Sequence, residues 1–199
     1  MWPTILSWVL SYLIGSISFS YLITKKIKKI DIRRFGSGNA GATNAQRVLG
    51  TGPAVVILLL DIAKGIVCVF IARALGIADW ATVISGLAAI IGHDYPLYFN
   101  FKGGKGVATS VGVFFMIMWP EAIIVGILTL LIIAVTRYVS LGSLVFLLMT
   151  PALGWILGGY APGVLAAMFA IALLSVIRHQ ANIVRLIHGN ENKLGHKKI

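Results

Sequence analysis

The residues Gly36-Ser37-Gly38-Asn39-Ala40-Gly41-Ala42-Thr43-Asn44-Ala45-Gln46-Arg47 form a block of small, hydrogen-bonding side chains that closes on an arginine. Glycines such as Gly38 and Gly41 let a backbone approach a ligand, and Ser37, Asn39, Thr43 and Asn44 supply donors. Exposed N–H groups beside the Arg47 guanidinium are what a phosphate ester needs. Gly36, Gly38 and Gly41 also satisfy G-x-G-x-x-G. A dinucleotide fingerprint needs a strand before it, and here a basic loop after an apolar segment precedes it.

Two further polar islands share this character. Phe101–Ser110 contains Gly103-Gly104-Lys105, whose glycines expose N–H groups while the lysine adds a point charge. It is no Walker motif, because Gly106 stands where Ser or Thr should follow the lysine. Arg178–Lys193 places His179 and Asn182 three residues apart, hence on one helix face, flanked by Arg178 and Arg185. His179 suits a phosphate donor or orienter better than a general base, and the same segment also suits a solvated amphipathic tail. Asp61 and Lys64, again three apart, sit inside an apolar run, where a mutual ion pair or a polar cavity must receive them. Ser143 falls about one turn inside another run, where it either lines a cavity or bonds its own helix.

The elements that position these islands are membrane helices. Of 199 residues 58% are hydrophobic and 12% charged, with a mean hydropathy of +0.93. Soluble domains run nearer about 45–50% and about 25%. Met1–Thr24 carries no charge and reads as a retained first span rather than a cleaved leader. Further spans are expected at about 53–75, 80–98, 107–118 and 122–136. The uncharged run Tyr138–Ile177 is too long for one helix, and Gly158-Gly159-Tyr160-Ala161-Pro162-Gly163 divides it into two. The reading is an all-α integral membrane protein of seven transmembrane helices in one domain, residues 1–199. The fourth span is short, so either it begins earlier or the glycine loop dips into the membrane and lines a cavity.

Charge orients this bundle. Lys25, Lys26, Lys28, Lys29, Arg33, Arg34 and Arg47 lie in loop 25–51, Lys102 and Lys105 in loop 94–106, and Arg137 in a short turn. Arg178, Arg185, Lys193, Lys197 and Lys198 lie in tail 178–199. All of these fall on one side, which the positive-inside rule makes cytoplasmic, with the N-terminus outside. The three islands therefore share the cytoplasmic face. The net charge of +11 serves orientation and anionic membrane lipids, not nucleic acid. Cys68 is the only cysteine, so neither a disulfide nor a thiolate metal site is expected.

The strings G-S-G-N-A-G-A-T-N-x-x-R, F-K-G-G-K-G-V-A-T and H-x-x-N-I-x-R-L-x-x-G resemble the bacterial acyl-phosphate:glycerol-3-phosphate acyltransferase family of PlsY type. L-D-x-x-K-G at Leu60–Gly65, G-H-x-Y-P at Gly92–Pro96 and R-Y-V-S-L at Arg137–Leu141 extend the likeness over essentially the whole chain. The resemblance implies a seven-span inner-membrane enzyme moving a fatty acyl group from acyl phosphate to the 1-hydroxyl of sn-glycerol 3-phosphate, giving lysophosphatidic acid. It implies that Ser37, Thr43, Arg47, Lys105, Ser143, His179 and Asn182 lie in the active site, with Ser37, Lys105, Ser143 and His179 in catalytic roles. Gly38, Asn39, Gly41, Thr43, Asn44, Arg47, Gly103, Gly104, Asn182 and Arg185 would bind substrate.

The residues are consistent with that chemistry. Two phosphorylated substrates need two anion sites, and three islands can build them. Acyl phosphate is already activated, so positioning and charge stabilisation are the main requirements. None of His93, His179, His188 or His196 has Asp five residues later, which excludes an H-x-x-x-x-D acyltransferase site. No island supplies an obvious carboxylate base, and no cofactor or metal is called for. The rival reading, a transporter of a phosphorylated solute, needs polar groups on both faces, whereas Arg73, Asp79 and Glu121 are the charged residues of the outer side.

Overall fold

A computed structural model describes residues 1–195. Lys197 and Lys198, counted above with the basic tail, and His196 lie outside the described residues. The described chain is all helical: α1 (Trp2–Gly15), α2 (Phe19–Lys28), α3 (Ala42–Leu49), α4 (Thr51–Ala74), α5 (Asp79–Asp94), α6 (Val107–Ile117), α7 (Trp119–Thr136), α8 (Val139–Leu157), α9 (Pro162–Arg178) and α10 (Gln180–Ile187). Four segments are long and apolar enough to cross a membrane: Trp2–Lys28, Thr51–Ala74, Trp119–Thr136 and Val139–Leu157. The bent pair α9–α10 makes a fifth, with a 64° break at His179.

Three sequence expectations change. The first span is not one helix, because Ser16–Ser18 separates α1 from α2. The carbonyls of Gly15 and Ile17, freed at that break, are taken up by the Lys64 ammonium at 3.0 and 3.2 Å. The third helix stops at Asp94 rather than near Tyr98, and the chain turns there through a short 3₁₀ segment at Leu97–Phe99. The loop 25–51 also carries a helix of its own, α3.

The fourth apolar segment is short, as its length implied. α6 holds 11 residues, about 16 Å at about 1.5 Å per residue. Its start is set by Gly106, whose φ of 71° is a left-handed turn that a side chain resists. Such a helix is tolerable in an apolar solvent because protein surrounds it: Val113 and Phe114 are fully buried. Small residues permit that enclosure. A Cβ at Gly65 of α4 would overlap the Thr109 carbonyl of α6, and one at Gly112 of α6 would overlap the Ile62 carbonyl of α4. Gly15 and Gly92 join α1 to α5 similarly, assisted by a bond between the Ser7 and Ser85 hydroxyls at 2.9 Å.

The apolar core lies between α4, α5, α6, α8 and α9, where Val69, Ile90, Leu147 and Met168 surround stacked Phe114 and Phe146. The outer surface is equally greasy: Ile124, Ile127, Leu130 and Val135 of α7 are exposed. In water such a surface would be a liability, and against acyl chains it is the ordinary exterior of a membrane protein.

Candidate active site

The glycine block folds as a loop that runs into α3, and the loop is pinned by Asn44 of α3. Its side-chain oxygen accepts from the Ser37 N–H at 2.8 Å, and its amide nitrogen donates to the carbonyls of Phe35 at 3.0 Å and Ile32 at 3.3 Å. Asn44 is fully buried, so it shapes the cradle and its amide is committed to backbone. Gly36, at φ 62°, brings its α-carbon against this amide, where a Cβ would collide with the Asn44 oxygen.

The second island is held against the end of α5. Gly103 and Gly104 donate their N–H groups to the carbonyls of Asp94 and His93, at 3.2 and 3.1 Å. Arg178, last residue of α9, donates to the Gly104 carbonyl at 2.6 Å and stacks on Tyr95 at 4.7 Å. Thus Arg178 fastens the loop to α9, and it leaves Lys105 to point away from α5 towards Asn182, whose oxygen accepts from the ammonium.

Together these elements enclose a cavity of about 600 Å³. Ser37, Gly38, Asn39, Gly41, Thr43, Asn44 and Arg47 line it from the first island, and Gly103 and Lys105 from the second. His179, Asn182, Arg185 and, from α8, Ser143 complete the wall. Of the residues singled out by sequence, Gly104 does not line it: its α-carbon lies under the ring of His93 and its carbonyl faces Arg178. Ser143 does reach the wall, yet its hydroxyl donates to the Val139 carbonyl at 2.8 Å, which leaves only its oxygen as an acceptor.

Several cavity residues were not found by sequence. Glu191, a tail residue that no motif marks, is 9% exposed and accepts from Asn182 Nδ2 and Arg185 Nε, both at 2.9 Å. The tail carries it there because Gly189 reverses the chain and Leu194 pairs with Arg137, N to O at 2.7 Å and Nη2 to O at 2.9 Å. Asp61 and His93 also line the cavity, from α4 and α5. In the sequence Asp61 is a charge inside an apolar run, for which an ion pair or a polar cavity is expected, and His93 belongs to the G-H-x-Y-P string. Asp61 and Lys64 do form an ion pair, at 2.9 Å, with both side chains almost wholly buried.

The electrostatics favour an anion. Burial pushes the Lys105 ammonium down to about 8, and Arg185, Arg178 and Arg47 add to the effect against Glu191. His179 is 2% exposed, and burial holds its imidazole at about 4, so it is neutral near pH 7. Its Nδ1 lies 2.7 Å from the Ser175 carbonyl, which can only accept, so Nδ1 carries the proton and Nε2 is an acceptor. This corrects the expectation of a phosphate donor, since a neutral ring held this way presents a lone pair. Among the described residues no group of three or more His, Cys, Asp or Glu side chains is arranged to hold a metal ion.

A second cavity, of about 480 Å³, adjoins the first. Ala42, Thr43, Leu58, Val107, Val139 and Ser143 border both. Beyond them its wall is mainly apolar, formed by Val111 and Phe115 of α6, Ala122, Gly126 and Ile133 of α7, and Phe146 of α8, with Gln46, Thr51 and Thr129 as polar members. A polar basic chamber thus opens sideways into a greasy groove, the shape an amphiphile with an anionic head requires.

The fold is shared with known proteins. The solved structure of PlsY (YgiH), an integral membrane glycerol 3-phosphate acyltransferase, in its glycerol 3-phosphate form has a TM-score of 0.90 against this chain at 39% identity, over 96% of each chain. Its lysophosphatidic acid form gives 0.88 at 38% identity, over 96% of this chain and 95% of that one. Fold and site therefore define an integral membrane acyltransferase, not a transporter. Residues 5–189 match the sequence model of the glycerol-3-phosphate acyltransferases, and the chain belongs to that family. The glycerol-3-phosphate acyltransferase of Halalkalibacterium halodurans is 51% identical over 201 residues, covering 97% of this chain and 98% of the relative. That of Shouchella clausii is 53% identical over 191 residues, covering 94% and 93%.

Proposed function

We propose that this chain transfers a fatty acyl group from acyl phosphate to the 1-hydroxyl of sn-glycerol 3-phosphate, giving lysophosphatidic acid and inorganic phosphate for phospholipid synthesis in a bacterium. The observation that carries this reading is the junction of the two cavities, where Lys105, Arg47 and Arg185 share one chamber and an apolar groove leaves it between Thr43, Val107 and Ser143. A soluble phosphate ester enters from the aqueous side, and the acyl chain lies in the groove. The two ligand forms of the PlsY structures correspond to one substrate and the product of such a transfer.

In this reading the acyl carbonyl sits at the junction and both phosphates occupy the basic chamber. The guanidinium of Arg47, the ammonium of Lys105 and the hydroxyls of Ser37 and Thr43 hold phosphate oxygens. Arg185 and Asn182 close the far wall. Nε2 of His179 accepts the hydroxyl proton as the oxygen attacks the carbonyl carbon. The carbon–oxygen bond to phosphate then breaks, and the departing phosphate takes that proton. No cofactor is involved. Positioning and charge stabilisation supply the acceleration.

The topology proposed with it has seven membrane segments, counting α1 with α2 as one, then α4 to α9. The chain forms one domain with the active-site face built from loops 25–51 and 94–106 and tail 178–199. The N-terminus is outside the inner membrane and the site is cytoplasmic, supported by the basic residues of those loops and that tail. Purified protein given acyl phosphate and radiolabelled glycerol 3-phosphate is expected to form lysophosphatidate, with acyl-CoA and acyl-carrier-protein as control donors. No product from any donor would sink the reading.

The groove also makes a chain-length prediction. Gly126 lies on its wall, and a Cβ there would meet only Phe146, at an ordinary 3.9 Å. Gly126→Leu therefore fills groove volume without displacing backbone. Its kcat/KM for a sixteen-carbon acyl phosphate is expected to fall about tenfold while that for a shorter donor changes little. Equal losses for both donors would place the chain elsewhere.

A further inference from the structure

His93 is buried to 6% exposure, lines the cavity, and has no part in the acyl transfer described above. Its protonation pattern is fixed by Lys64. An ammonium has three N–H donors and no acceptor. Those of Lys64 go to the Gly15 carbonyl at 3.0 Å, the Ile17 carbonyl at 3.2 Å and Nδ1 of His93 at 2.7 Å, with the Asp61 carboxylate 2.9 Å away as counter-charge. That carboxylate also lies 3.5 Å from Nδ1, at the limit of a hydrogen bond, so the much closer ammonium decides the proton's place. Nδ1 must therefore accept. In a neutral imidazole the proton then resides on Nε2, which becomes a donor.

Nε2 points under the glycine loop. A Cβ at Gly104 would fall on it, with the ring carbon Cδ2 next at 2.8 Å and the Ala40 carbonyl at 3.0 Å. The atom thus sits between the first and second islands, beside the Gly103 and Lys105 wall, in space that the missing Gly104 side chain leaves free. His93 and His179 are complementary here. One presents an N–H and the other a lone pair to the same chamber.

We propose that His93 is a further substrate-binding residue, whose Nε2–H donates to a phosphate oxygen held under the glycine loop, with Lys64 as the positioning residue that fixes the tautomer. The substrate class rests on the acyltransferase reading; the anion site itself does not. A neutral donor suits this place, because the chamber already carries Lys105, Arg47 and Arg185, and a charged imidazole would lie against the Lys64 ammonium. The Asp61–Lys64 pair then has a use beyond mutual neutralisation. It seals the α1–α2 break on one side and sets a hydrogen-bond donor on the other.

The test is nitrogen NMR on the full chain in detergent, with ¹⁵N-labelled histidine and His93 assigned by loss of its signal in His93→Gln. The free protein near pH 7 is expected to show His93 protonated on Nε2 and His179 protonated on Nδ1. Saturating glycerol 3-phosphate, and separately inorganic phosphate, should move the His93 Nε2–H resonance. A His93 protonated on Nδ1, or an Nε2–H unmoved by both ligands at saturation, overturns the proposal. In Lys64→Met the tautomer preference should be lost; if it persists, Lys64 does not set it. Kinetically, His93→Gln keeps an amide donor and His93→Phe removes it. The KM of one phosphorylated substrate should rise about 10–100-fold in the Phe variant and less in the Gln variant. Equal KM values in both variants would also overturn it. Phosphate moving His93 in a protein without acyl transfer would keep the anion site and reject only the substrate assignment.

Discussion

Lys105→Ala is expected to lower kcat/KM for acyl transfer about 10²–10³-fold, the range for loss of one preorganised charged donor. The ammonium stands in the wall of the chamber, held by the Asn182 oxygen, with Arg47 and Arg185 nearby. Its acidity gives the prediction a second readout. Burial lowers its pKa from the ordinary lysine value to about 8, so the cation is present below pH 8 and is lost as pH rises through that value. The kcat/KM profile of the wild type should therefore fall above about pH 8. A bound phosphate favours the ammonium, so the corresponding limb in kcat should lie higher. Lys105→Arg keeps its charge to far higher pH, and its profile should lose the limb even if its rate is lower. Wild-type activity that stays level to pH 10 would remove Lys105 from the chemistry.

Asp61→Ala is expected to destabilise the protein by about 3–5 kcal/mol, because it leaves Lys64 buried without its counter-charge. The pair is held at 2.9 Å, with side-chain exposures of only 3% and 2%. Breaking one partner removes the attraction but leaves the cost of desolvation. Replacing both, as Asp61→Leu with Lys64→Met, removes that cost too and should be less damaging than Asp61→Ala, while its remaining loss relative to wild type reflects the Gly15 and Ile17 carbonyls that Lys64 no longer holds. The order matters more than the sizes. Unfolding in mild detergent, followed by tryptophan fluorescence, should rank wild type first, the double variant second and Asp61→Ala last. If Asp61→Ala unfolds with the wild type, Lys64 is neutral in the folded state and the ion pair has no energetic role. The double variant should still lose activity, since nothing then fixes His93.

Much of this was legible in the sequence because its signals are local. An apolar run declares a helix in lipid whatever its neighbours are, and basic residues declare a membrane edge one loop at a time. Glycine islands likewise carry their own chemistry. They brought Ser37, Arg47, Lys105, His179 and Asn182 to attention, and all of these line one chamber. What stayed hidden depends on distance. Glu191 is one case, because nothing local reveals that Leu194 pairs with Arg137 and turns the tail inward. The break after Gly15 was masked because its free carbonyls are taken by Lys64, 49 and 47 positions away in the chain.

The hydrogen-bond roles illustrate the same limit. Sequence shows four histidines but not which nitrogen of each carries the proton. That follows from a carbonyl beneath His179 and an ammonium beneath His93, and these leave the two Nε2 atoms in opposite roles, acceptor on His179 and donor on His93. Ser143 reads in the sequence as either lining a cavity or bonding its own helix, and in the structure it does both, its proton given to Val139. The sequence by itself determined the membrane, the family and the chemical class of the ligand, since composition and short motifs carry those. The tertiary structure decided which side chains are free to act. A donor or acceptor is available only when no neighbour has claimed it, and those neighbours come from other helices.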